Sequence, residues 1–203
     1  MMEMKYSQKE ILIFQGFSKL VDDGISLNNI KVSDIAKAAG IGKGTIYEYF
    51  KTKEEVIAKS IMYKMNVEFM NILDKSNEAV GFEDKCKVGF EEIMKFMSNQ
   101  FEYFQIMFTS KEIHEALGCS NREKSGVIEL RKHILDLLEP TIKLGLEEGM
   151  INSNLDIDYI RSVFISVCSG IGTIVHFQFG EISEDDIEKQ KNRAYTMLVK
   201  ALS

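Results

Sequence analysis

Tryptophan is absent from this 203-residue chain, proline occurs once, at Pro140, and cysteine occurs three times. Each scarcity excludes something. Proline lacks an N–H and crowds the preceding turn, so a chain with one proline is free to run as long helices. No alternating strand pattern competes with that reading, and an all-α fold is expected. Cys86, Cys119 and Cys168 stand 33 and 49 residues apart, spacings that match neither a metal knuckle nor a disulfide framework. They read as reduced, buried thiols of a cytoplasmic protein. The amino terminus is charged and has no apolar core, so no signal peptide is expected there. One stretch free of formal charge, 162–180, reaches 19 residues, the length of a membrane span. Ser, Cys, Gly, Thr, His and Gln dilute it, and a helix buried on two sides is expected instead. His114, His133 and His176 lack Cys or carboxylate neighbours at ligand spacing, so neither a metal nor a cofactor is expected. No nucleophile triad or pair of acids at catalytic spacing is evident, and no enzyme is expected.

What remains is ordinary for a folded protein, with 45% hydrophobic and 28% charged residues. The length suits one compact domain or a small domain fused to a larger one. The net charge of −6 is unevenly spread. Residues 1–55 balance eight Lys against eight Asp or Glu, so the remainder carries all of the excess acid. Within that neutral part, Lys31, Lys37, Lys43, Lys51 and Lys53 face only Asp34 and Glu48, a local charge of +3. A basic spot inside an acidic chain is the electrostatic footprint of a nucleic-acid reader, although a charge run is more often a solvated helix face.

The basic spot coincides with a pattern. In VSDIAKAAGIGKGTIYEYFKTK, Val32 to Lys53, Ile35, Ala36 and Ala39 share one helical face. Gly40 then offers the left-handed turn that ends a helix. The helical pattern resumes at Lys43 with Ile46 and Phe50 pointing inward, which leaves an amine, a hydroxyl, a carboxylate and two phenols on the other faces. Thr52 followed by Glu55 forms a capping box for a further helix. Two short helices around a glycine turn, the second one polar and aromatic outside, make a helix–turn–helix able to enter a DNA major groove. Gly42-Lys43-Gly44-Thr45 is not a nucleotide-binding P-loop, because Gly44 follows the Lys and Lys37 stands where the first glycine belongs. The GxGxxG pattern also fails, at Thr45.

IAKAAGIGKGTIYEYFKTKEEV resembles the amino-terminal signature of TetR-family transcriptional regulators, in detail over the first 60 residues or so and beyond them only in helical layout. The resemblance implies an amino-terminal DNA-binding domain, 1–52, and a helical effector-binding and dimerisation domain, 53–203. It places Lys43, Gly44, Tyr47 and Glu48 against base edges, and Thr45, Tyr49 and Lys53 against phosphates. The chemistry agrees: Lys can donate to guanine O6/N7 and Glu can accept from cytosine N4. A Tyr taken alone is more often a partly buried packing residue. Three departures stand out: ten residues separate Gly24 from Ile35, a longer loop than the family pattern, Lys31 replaces a capping hydroxyl, and Gly42 replaces a capping Ser.

Ahead of the motif, Gln8–Asp23 is expected as a helix whose Gly16 permits a close approach. Behind it, helices are expected at Thr52–Asn77, Phe82–Ser98, Phe101–Ser110, Glu112–Leu117, Glu123–Glu148 (kinked near Pro140), Asp156–Phe179 and from Ser183 onward. Leu117–Asn121 is a candidate portal. Phe69, Phe90, Met94, Met97, Phe104, Met107, Phe108, Phe164 and Cys168 read either as core or as the wall of a cavity for a greasy effector. Ser166, Gly170, Thr173, Ile174 and Phe177, with Ala194, Tyr195 and Leu198, read either as monomeric core or as a four-helix interface with a second copy, which the resemblance also implies. Together these readings give a homodimeric regulator, most readily a repressor released from a palindromic operator by a small apolar or amphipathic molecule. The alternative is a small-molecule-binding helical protein or an enzyme without operator binding.

Overall fold

The computed structural model describes residues 6–116, 126–177 and 183–203, and among these the regular structure is entirely helical. The helices are α1 (Gln8–Asp22), α2 (Val32–Ala38), α3 (Lys43–Tyr49), α4 (Lys53–Glu78), α5 (Phe82–Thr109), α6 (Lys111–Ala116), α7 (Gly126–Glu147), α8 (Ile157–Phe177) and α9 (Glu184–Leu202), with a 3-10 turn at Leu27–Asn29. The proposed portal, Leu117–Asn121, lies outside the described residues.

Sequence chemistry sets most of these limits. Ser7 opens α1 with a capping box: its Oγ accepts from the Glu10 N–H at 3.3 Å, and its own N–H donates to Glu10 Oε2 at 2.8 Å. Asp156 opens α8 by accepting from the Asp158 and Tyr159 N–H groups at 2.9 and 3.1 Å. Asp156→Ala should therefore cost about 1 kcal/mol and lower the thermal midpoint by about 2–4 °C, measurable by circular dichroism. Ser183 does the same for α9, accepting from the Asp186 N–H at 3.2 Å. α7 ends at Gly149, where the Met150 N–H reaches the Gly145 carbonyl at 2.9 Å and the Gly149 N–H that of Leu146 at 3.2 Å.

One boundary needs correction. The expected break between Phe82–Ser98 and Phe101–Ser110 does not occur, and α5 runs unbroken to Thr109. The polar Ser-Asn-Gln stretch contains no Gly or Pro to stop a helix, and the Ser98 Oγ donates back to the Lys95 carbonyl at 3.0 Å, a bond that a helix accommodates.

The chain's contacts divide it into two units, Met1–Val67 with Glu102–Leu130, and Glu68–Phe101 with Arg131–Ser203. In the first, Ile13, Phe14 and Phe17 of α1 are buried with Ile35, Ile46, Phe50, Val56 and Ile61. Phe14 is the aromatic centre of this core, with ring centroids 4.9 Å from Tyr6, 5.1 Å from Tyr63 and 5.9 Å from Phe50. In the second, Phe82, Phe90, Met94, Ile142, Ile160, Phe164 and Leu198 form the core. Phe82 sits edge-on to Phe164 at 6.3 Å, and its N–H donates to Glu148 Oε2 at 3.0 Å.

Candidate nucleic-acid interface

α2 is short, and its start is rescued from an unfavourable residue. Lys31 offers no capping hydroxyl, but its N–H donates to Asp34 Oδ2 at 3.2 Å, so the carboxylate reaching back supplies one half of a capping box. The far end is closed by Gly40 at φ 69°, with the Ile41 N–H on the Ala36 carbonyl at 3.0 Å and the Gly40 N–H on that of Lys37 at 3.2 Å. A residue with a Cβ is strained in that conformation, which is why glycine stands at the turn. α1 backs the pair at very close range: a Cβ added to Gly16 would lie 2.8 Å from the Ala39 nitrogen and 3.0 Å from its Cβ.

α3 then has an inner and an outer side. Ile46 is fully buried and Phe50, at its end, is 3% exposed, whereas Tyr47 and Tyr49 are 46% and 38% exposed. Lys43, Gly44 and Glu48 are exposed, and Thr45 and Lys53 are half-buried. Nothing lies within 4 Å of where a Cβ on Gly44 would be, so that part of the helix is open to close approach. The Lys43 ammonium stands over the Tyr47 ring, 5.9 Å from its centroid. Behind α3, the Glu55 N–H donates to Thr52 Oγ1 at 3.1 Å, and Glu55 Oε2 accepts from the Lys51 N–H at 2.7 Å. The expected box is thus half right: the hydroxyl caps as foreseen, while the glutamate lands one residue earlier.

The proposed pocket residues fall into two groups. Phe90, Met94, Met97 and Phe164 are buried, and Phe69 and Cys168 are half-buried. Phe90, Met94 and Phe164 are members of the packed core, and Met97 lies so close over Gly172 that a Cβ there would meet its Cγ at 2.8 Å. The side chains of Phe104, Met107 and Phe108 lie outside the described residues. Burial pushes the Cys168 thiol up to about 12 and, with Cys168 adding to it, the Cys86 thiol well above its ordinary range, so both are poor nucleophiles. Cys119 and the side chains of His114, His133 and His176 lie outside the described residues. Among the described residues no group of three or more His, Cys, Asp or Glu could hold a metal.

Sequence reasoning missed a groove of about 410 Å³ between α4 and α5, lined by Glu68, Asn71, Ile72, Asp74, Lys75, Glu78, Glu92, Lys95 and Phe96. A row of ion pairs passes it: Lys75 to Glu92 at 2.5 Å, Lys95 to Glu92 at 3.0 Å and to Glu91 at 2.8 Å, and Lys191 of α9 to Glu91 at 3.1 Å. The Lys95 hydrogen bond holds the Glu91 carboxyl below its usual range. The Lys95 pairs are local to α5, but Lys75–Glu92 and Lys191–Glu91 join residues far apart in sequence and leave no local signature.

On α8, Ser166 is exposed, Ile174 is 45% exposed, and Gly170 is half-buried with open space where a Cβ would stand. The side chains of Thr173 and Phe177 lie outside the described residues. On α9 the assignment changes. Ala194 and Leu198 are 3% and 0% exposed within the chain's own core, so they have no surface left for a partner. Tyr195 is half-buried, 6.4 Å from the Phe82 ring and beneath the Lys87 ammonium, with its hydroxyl pushed up to about 12 by burial first and then by Glu83. The exposed large apolar side chain on α9 is Met197, at 57%.

A glycine-turned helix pair whose second helix is anchored by Ile46 and Phe50 and shows an amine and two phenols to solvent defines a helix–turn–helix protein. Comparison with known proteins narrows the class. Residues 27–59, from the 3-10 turn into α4, match the family described as bacterial regulatory proteins, tetR family. Over 133 residues, 66% of this chain and 66% of the relative, the sequence is 26% identical to the fatty acid metabolism regulator protein of Bacillus subtilis. Among solved structures, the fatty acid degradation regulator FadR of Bacillus halodurans superposes with a TM-score of 0.65 at 23% identity, covering 96% of both chains. FadR of Bacillus subtilis in complex with stearoyl-CoA does so with a TM-score of 0.59 at 20% identity, covering 95% of this chain and 99% of that one. The amino-terminal reading motif is thus similar to that of tetR-family transcriptional regulators, and the helical fold is shared along nearly the whole chain. Among the described residues no helix is long and apolar enough to cross a membrane.

Proposed function

We propose that this protein is a ligand-responsive transcriptional repressor which binds a palindromic operator as a homodimer in the cytoplasm. The observation that carries this reading is α3 itself, anchored by Ile46 and Phe50 with Lys43, Gly44, Tyr47, Glu48 and Tyr49 facing water. Residues 1–52 read DNA in this account, with Lys43, Gly44, Tyr47 and Glu48 against base edges and Thr45, Tyr49 and Lys53 on phosphates. Residues 53–203 bind the effector and a second copy, the latter through the Ser166–Gly170–Ile174 stripe of α8.

The effector proposed is a long-chain acyl thioester. Two observations support it: regulators similar in sequence and fold are named for fatty acid metabolism, one of them bound to stearoyl-CoA, and α4, α5 and α8 of this chain carry the Phe and Met residues that suit an apolar tail. Release requires only that the effector bind more tightly to a dimer whose reading heads are wrongly spaced for the operator.

The test is a mobility shift on the DNA upstream of the gene as salt is raised. If about six phosphates are neutralised, affinity should fall roughly a thousandfold between 50 and 200 mM salt. Lys53→Ala, which removes one cation per protomer, should weaken binding to every sequence alike and flatten the salt slope by about 2. Lys43→Ala should instead blur base preference at one position in each half-site, worth about 1–3 kcal/mol there. Affinity indifferent to salt would sink the proposal.

A further inference from the structure

We propose that Tyr47 is a positioning residue whose ring, rather than its hydroxyl, aims the Lys43 ammonium at DNA. This inference rests on the DNA-reading assignment and adds what fixes the base preference within it.

Lysine is a poor reader unless something holds it, because its four-carbon stem samples many rotamers and its ammonium is strongly hydrated. At Lys43 little else can do the holding. Gly42 before it makes no side-chain cap, and Gly44 after it has no side chain, so neither neighbour offers a wall. Among the described residues no carboxylate pairs with Lys43, not even Glu48 on the same helix. What meets the ammonium is the Tyr47 ring one turn on, at 5.9 Å, inside the range in which a cation is drawn to an aromatic face. The spacing is i and i+4, so the pair lies along the outer side of α3. Tyr47 itself is 46% exposed, with room to carry the amine on its face. The attraction is weak in water and grows several-fold once the pair is desolvated. Docking against a base pair excludes water, so the ring is most effective in the bound state and contributes to discrimination more than to general affinity.

The experiment begins by selecting the preferred duplex from a randomised pool with the wild-type protein. Affinities for that duplex and for a scrambled one are then measured for Tyr47→Leu, Tyr47→Phe, Lys43→Met and the Lys43→Met/Tyr47→Leu double variant. Leu keeps apolar bulk but has no aromatic face, and Phe keeps the face but has no hydroxyl. Tyr47→Leu should weaken binding to the selected duplex by about fivefold to thirtyfold and to the scrambled one far less, and Phe should restore most of that loss. In the Lys43→Met background the Tyr47→Leu step should shrink towards none, because nothing remains to be aimed. The inference is overturned if Phe loses as much as Leu, which would make the hydroxyl the contact. It is equally overturned if the Leu loss persists without Lys43, which would mean that the ring acts by itself, as packing or as a direct base contact. A pool from which the wild-type protein selects no sequence would overturn the DNA-reading assignment itself, and the pairing with it.

Discussion

Gly16→Ala is expected to cost this protein most of its operator affinity, although residue 16 lies outside the helix–turn–helix. The new methyl group would stand 2.8 Å from the Ala39 nitrogen and 3.1 Å from its Cα, against backbone that cannot swing aside as a flexible side chain does. Ala39 directly precedes the Gly40 turn, so any retreat of α2 is handed on to α3. Overpacking of this kind costs about 1–3 kcal/mol, which for a chain this size is a drop of about 2–12 °C in the melting midpoint. If docking must restore the native spacing, the same energy reappears as about tenfold to hundredfold weaker binding. Gly44→Ala is the informative contrast. A Cβ there meets nothing within 4 Å, so its melt should hold or rise slightly, since alanine is the better helix former. Any affinity it loses is then crowding at the DNA. Melting curves and mobility shifts on the two variants separate a distorted scaffold from a blocked surface, and a Gly16→Ala protein that melts and binds like the wild type would refute the packing argument.

Phe82→Ala should be the more damaging change to the second unit, by about 3–5 kcal/mol or about 6–20 °C. The ring is fully buried and meets Phe164 of α8 and Tyr195 of α9. Its edge also fills the space above Gly145, where an added Cβ would come within 2.6 Å of it. One side chain at the first position of α5 therefore touches three other helices, and its loss opens a cavity that none of them can close alone. Gly145→Ala approaches the same spot from the opposite side and should also destabilise, by overfilling rather than emptying. Calorimetry on both variants checks this, and a Phe82→Ala midpoint within a degree or two of wild type would show that the site collapses freely.

Much of this was legible in the sequence because it is local. The turn at Gly40, the caps at Asp156 and Ser183 and the inward pair Ile46 and Phe50 all follow from residues within a few positions of one another. The failures share a different cause. A polar run at Ser98 resembles a break until its hydroxyl is seen bonding to Lys95 in the same helix. A capping box puts Glu55 on the Thr52 N–H, but a glutamate's reach is long enough to find that of Lys51 instead. Periodicity identified Ala194 and Leu198 as one apolar face of α9, yet an apolar stripe does not say whose side chains will cover it, and here the chain's own core does. The ionic row from Lys75 to Lys191 joins residues too far apart in sequence for any pattern to announce it.

The division of α3 into anchored and outward-facing positions has a consequence for how such a protein can change. Ile46 and Phe50 hold the helix in place, while positions 43, 44, 47 and 48 are exposed. Under the proposed DNA-reading assignment, substitutions at those four outward places should rewrite the recognised sequence without disturbing the scaffold. A combinatorial library confined to them should yield folded members with new targets, and drift after gene duplication has the same freedom.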